Sequence, residues 1–162
     1  MSKKNKKYII IGIIIVIVFT VLFVIIKNSK KEEKKSFNIS SITDFIVKGY
    51  DDLREMDFID ITTLFGMSNV SEEDEALFFT NIDLTSGIDT NSVMVIVVNT
   101  DNESDYYDVF DSFLTSYKYN TDEKELLDFY DTVILKQGDG FVYFLMGENP
   151  ELFEREIYSF YY

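Results

Sequence analysis

The chain contains no histidine and no cysteine among its 162 residues, so the side chains on which most neutral-pH catalysis depends are missing. Ser-His-Asp and Cys-His catalysis, thiol redox chemistry and typical zinc sites are excluded on that ground. Carboxylates, lysines and tyrosines remain. With 29 acidic residues some carboxylates must lie close together by chance, so nearness alone says nothing about glycoside or peptide hydrolysis. Neither the Asp-Thr-Gly of an aspartic protease nor a Ser-x-x-Lys is present. Asp101, Glu103 and Asp105 alternate like the first ligands of a calcium loop, but Tyr106 and Ser112 stand where that loop needs glycine and a bidentate glutamate. Their ordinary place is the N-terminus of a helix, where the backbone dipole favours negative charge. Gly138-Asp139-Gly140 is too short for a phosphate loop and opens no helix, so it reads as a turn. Tyr106, Tyr107, Tyr117, Tyr119, Tyr158, Tyr161 and Tyr162 read first as core and rim, with a sugar- or peptide-stacking surface as the alternative. No catalytic, cofactor-binding or metal-binding residue is assigned, and no cofactor is expected.

The elements around these residues begin with an apolar run, Tyr8 to Ile26, broken only by Gly12 and Thr20. At ~1.5 Å per helical residue it reaches ~28 Å, close to the ~30 Å hydrocarbon core of a bilayer. It reads as one transmembrane helix. A cleaved signal peptide would end in small residues, whereas this run passes into Lys27 and a lysine-rich stretch. Lipoprotein processing would need a cysteine, and a core helix would need a polar stripe. The organisation is therefore a basic tail over 1–7, the span over 8–26, a charged linker over 27–36 and an acidic globular domain over 37–162.

Residues 1–35 carry nine lysines against Glu32 and Glu33, a net +7, while residues 36–162 carry six basic and 27 acidic groups, a net −21. Such a domain is repelled by nucleic acid and by anionic membrane surfaces, and no nucleic-acid partner is expected. Disorder is not implied, because 57 of the 127 residues from Ser36 onward are apolar, the fraction of an ordinary domain. One alanine, one proline and two arginines point to an AT-rich genome, which accounts for part of the aromatic excess.

A first helix is expected near 41–54, opened by Ser41 with Asp44 and carrying Ile42, Phe45, Ile46, Gly49 and Leu53 on its buried stripe. Gly49 there would admit a neighbouring backbone. Phe58 to Phe65 is open between helix and strand, and Gly66 ends it. Ser71 caps a turn, and Ala76 to Ile82 reads as a strand. Val93 to Val98 is a β-branched run buried on both faces, hence central in its sheet. Asp101 to Asp105 opens a helix with Tyr106, Val109, Phe110, Phe113, Leu114 and Tyr117 on one face. A short helix between Thr121 and Tyr130 follows, then a hairpin of Thr132–Leu135 and Phe141–Leu145 whose glycines take positive φ. Asn149 and Pro150 start a last helix, as N-cap and N1, bearing Leu152, Phe153, Ile157 and Phe160. The fold class is α+β, a two-layer domain with a sheet of about four strands covered by helices.

This arrangement, with SVMVIVVN and DTVILKQGDGFVYFLMGENPE as its marks, resembles a domain-of-unknown-function family of small extracytoplasmic proteins of low-GC Gram-positive bacteria, anchored by a membrane helix or as lipoproteins. The resemblance spans about Ser41 to Tyr162. It implies an extracytoplasmic location and carries no catalytic signature; this chain lacks the lipoprotein cysteine and has the membrane helix instead.

The function expected is a non-enzymatic, single-pass membrane-anchored accessory or binding domain, with membrane lipid around residues 8–26 and a cell-envelope protein or glycan as partner. The alternative is a carboxylate-based surface hydrolase acting on wall glycan or peptide. Four lysines before the span and five after it leave the orientation undecided by charge. A short N-terminal tail, an acidic domain driven outward by an inside-negative potential, and the resemblance together place the domain outside.

Overall fold

A computed structural model describes residues 35–67, 71, 73–83 and 87–162 of the chain. The tail, the apolar run and the linker as far as residue 34 lie outside the described residues; among the described residues no helix is long and apolar enough to cross a membrane.

Residues 35–162 form one compact unit. In chain order its elements are α1 (Ile39–Gly49), β1 (Arg54–Glu55), α2 (Phe58–Phe65), β2 (Glu75–Thr80), β3 (Met94–Asn99), α3 (Glu103–Tyr119), α4 (Lys124–Tyr130), β4 (Ile134–Gly138), β5 (Phe141–Met146) and α5 (Pro150–Tyr158). The sheet order is β1-β2-β3-β5-β4, with every neighbouring pair antiparallel. All six residues of β3 and all six of β5 are buried, so these two adjacent strands show water neither face. Phe78, Ile96, Val98, Val142 and Phe144 point to one side and pack with Tyr106 and Phe110 of α3 and Phe129 of α4. Leu77, Phe79, Val95, Val97, Tyr143 and Leu145 point to the other and pack with Ile42 and Ile46 of α1 and Phe153 and Ile157 of α5. Each fully buried aliphatic or aromatic side chain contributes ~1.5–3 kcal/mol, so an uncovered face on either side would forfeit several such terms.

The α+β class and the central place of the Val93–Val98 run are as the pattern indicates. The layer and strand numbers need correction: among the described residues the sheet has five strands, and helices cover both of its faces. The first helix is also displaced. It is capped by Asn38, whose side chain accepts a hydrogen bond from the Ser41 N–H, and it ends at Gly49. Gly49 is exposed, with nothing within 4 Å of where a Cβ would sit, so it admits no neighbouring backbone. Phe58–Phe65 is a helix, closed at its start by a reciprocal Asp57–Asp60 capping box and at its end by Gly66 at φ 64°.

The β4–β5 hairpin closes with Gly138 opposite Phe141, leaving Asp139 and Gly140 as the turn. Only Gly140 takes positive φ, at 91°. Gly138 is needed for a different reason: a Cβ there would fall 2.3 Å from the Phe141 ring. The turn is tied to the start of α3, since the Gly140 N–H donates to Glu103 Oε1 at 2.6 Å and the Thr100 N–H donates to the Gly140 carbonyl at 3.0 Å.

Residues 36–38 lie antiparallel to residues 160–162. The Ser36 N–H donates to the Tyr162 carbonyl, the Tyr162 N–H donates back to Ser36, and the Asn38 N–H donates to Phe160. On its other edge Phe37 meets the side chain of Asn99, which accepts from its N–H at 3.0 Å and donates to its carbonyl at 2.8 Å. One buried amide thus satisfies both polar groups of a buried backbone unit, and the segment entering the domain is fixed against the end of β3.

Candidate functional site

A cluster of polar and aromatic groups lies on the sheet face that carries α1 and α5. The hairpin register sets Lys136 opposite Tyr143, and both side chains meet Glu154 of α5. Glu154 Oε1 accepts from Lys136 Nζ at 2.6 Å and from the Tyr143 hydroxyl in a short bond. The Tyr143 ring is fully buried, whereas Lys136 keeps 55% of its side chain exposed and Glu154 19%. Burial alone would raise the Glu154 pKa, but the bonds from Lys136 and Tyr143 outweigh it and hold the carboxyl below its ordinary value. The same bond raises Lys136. Burial, followed by the bonds to Glu154 and Tyr158, drives the Tyr143 phenol far above its usual range. At neutral pH the cluster is a fixed carboxylate, a fixed ammonium and a neutral phenol.

Beside it the rings form a continuous platform. Phe141 and Tyr143 stack at 5.9 Å and 6°, and Phe37 meets Phe141 edge-on at 4.9 Å. Tyr158 lies edge-on to Tyr143 at 5.9 Å and to Phe37 at 5.6 Å, and Tyr161 lies 5.1 Å from Phe141. Phe37 and Phe141 are buried; Tyr158 is 40% exposed. Tyrosine rims of this kind present an apolar ring and a polar tip to a ligand.

Of the seven tyrosines singled out by sequence, Tyr158 and Tyr161 come together here. Tyr162 is exposed beside them in the chain, and its hydroxyl meets the Asn38 side-chain amide. Tyr106, Tyr107 and Tyr117 belong to the opposite face. Tyr106 is fully buried, its hydroxyl donating to Asp74 at 2.8 Å, and burial with that bond raises its phenol far above the usual range. Tyr119 is 89% exposed. Asp101, Glu103 and Asp105 are at the start of α3, where Glu103 is engaged by the hairpin turn. Tyr106 and Ser112 lie inside that helix, so the segment cannot curl into a calcium loop. Among the described residues no group of three acidic side chains is placed to hold a metal ion.

The sequence reading did not single out Glu154, Lys136 or Tyr143. The signal was partly there: a turn at Asp139-Gly140 puts Lys136 opposite Tyr143 by counting back along the hairpin. What α5 adds depends on its packing and leaves no mark in spacing.

No protein-family model, curated protein or solved structure matches the chain.

Proposed function

We propose that the chain is a single-pass, membrane-anchored binding module whose acidic domain stands outside the cell and acts without catalysis. The apolar run from Tyr8 to Ile26, with lysines on both sides, carries this reading, because a run of this length, ~28 Å if helical, finds one favourable environment in a bilayer. The Glu154 cluster supports binding over acid–base chemistry. A general acid needs a carboxyl whose pKa is raised toward the working pH, and Glu154 is shifted the other way by partners already in place. The cluster holds one carboxylate, whereas a glycoside hydrolase works with two. A fixed ion pair beside half-exposed tyrosine rings suits a hydroxyl-rich or peptide ligand of the cell envelope.

Extraction of membranes with alkaline carbonate tests the anchor. The full chain should stay in the pellet and be released only by detergent. Release by carbonate would overturn the reading.

A further inference from the structure

We propose that a second place, the groove between the end of α1 and the start of α5, docks a single basic side chain of a partner polypeptide. Its walls are Tyr50, Leu53, Val93 and Phe153, with the Tyr50 and Phe153 rings 4.7 Å apart and 30° from parallel. Asp52 and Glu148 line it as well. Both carboxylates are exposed, and among the described residues neither makes an ion pair or hydrogen bond through its side chain. No lysine or arginine lines the groove.

Size and charge together choose the occupant. The groove encloses about 180 Å³. An apolar cavity of ~150 Å³ accommodates one benzene ring, and sites for whole small molecules run from ~300 Å³ upward. One side chain fits; a complete cofactor does not. A purely apolar group would fill the walls but leave the two carboxylates without a partner. Lysine and arginine place an aliphatic stem on apolar surface and a cation at its end, which matches a groove lined both by Leu53, Val93 and Phe153 and by the exposed carboxylates of Asp52 and Glu148. The Tyr50 ring adds an aromatic face within the groove for the same cation. Leu152, 43% exposed at the edge of the groove, offers apolar surface to the rest of the partner chain. The net −21 of residues 36–162 draws such a partner in from a distance.

The inference rests on the binding-module reading but is tested separately from it. The full chain in nanodiscs, with labelled leucine and valine methyl groups, is titrated with Nα-acetyl-lysine methylamide. The norleucine analogue, which keeps the stem and lacks the charge, and ammonium chloride, which keeps the charge and lacks the stem, serve as comparisons. The lysine probe should give saturable shifts at Leu53, Val93 and Leu152, binding about fivefold to tenfold more tightly than the norleucine probe. Ammonium chloride should give no localised shift. The double variant Asp52→Asn, Glu148→Gln, altered only at exposed groups, should lose most of that preference and keep only the small part that the Tyr50 ring supplies. Equal binding of the two probes to the wild-type chain, shifts reproduced by ammonium chloride, or a preference undiminished in the variant would each overturn the proposal. None of those results bears on which side of the membrane the domain occupies.

Discussion

Asn99 is a buried polar residue at the end of an otherwise apolar strand, and its amide satisfies both backbone groups of Phe37. Replacing it with alanine strands a donor and an acceptor under a ring cluster. At ~1–3 kcal/mol for each unsatisfied buried group, Asn99→Ala should cost about 2–6 kcal/mol, seen in urea unfolding as a lower midpoint with an unchanged slope. A loss well under ~1 kcal/mol would mean that water reaches Phe37. Glu154 gives a prediction in pH. Its carboxyl is held below the ordinary value of 4.5, so the folded chain takes up this proton less readily than the unfolded chain. The stabilisation is complete above that ordinary value and is lost as the pH falls through the lower folded one. Lys136 and Tyr143, both shifted upward, stay protonated throughout this range. The stability difference between the wild-type chain and Glu154→Gln should therefore be constant near neutrality and shrink as the pH is taken below 4.5. A difference independent of pH would remove Glu154 from the ion pair.

Among the elements, those with strong periodicity were legible from sequence and those set by distant partners were not. The spacing of Tyr106, Phe110, Phe113 and Tyr117 marks α3, and Asn149-Pro150 marks the start of α5, although the Asn149 side chain makes no cap bond. Asn38 and Ser41 are both competent caps, so spacing alone does not fix the start of α1. The pairing of residues 36–38 with 160–162 keeps the chain extended through Asn38 and so selects it. β1 left no signal: Arg54 and Glu55 are exposed, and they form a strand because they lie against Thr80 and Phe79. The ambiguity over Phe58–Phe65 is resolved by its ends, with the Asp57–Asp60 box and Gly66 both favouring helix. Asp57→Ala should cost about 0.5–2 kcal/mol of stability, measured by chemical denaturation, and a neutral result would show that α2 is held by packing alone.

For the whole molecule, the covering of both sheet faces follows from two adjacent strands that show water neither side. The Val93–Val98 run announced one of them. Phe141 to Met146, the second strand of the expected hairpin, carries the same continuous apolar signal, and two such strands side by side need cover on both faces, which a two-layer domain does not give. The candidate site was less legible still, because Lys136, Tyr143 and Glu154 meet only once the hairpin and α5 are packed together. The charge asymmetry between a +7 leading segment and a −21 domain was plain from the start, and it makes topology the property on which the functional reading stands or falls. Protease added to intact, wall-stripped cells tests it most directly. A domain outside the cell should be degraded while a fragment containing residues 8–26 stays with the membrane; a chain protected until the cells are lysed would reverse the orientation and remove the surface-binding function.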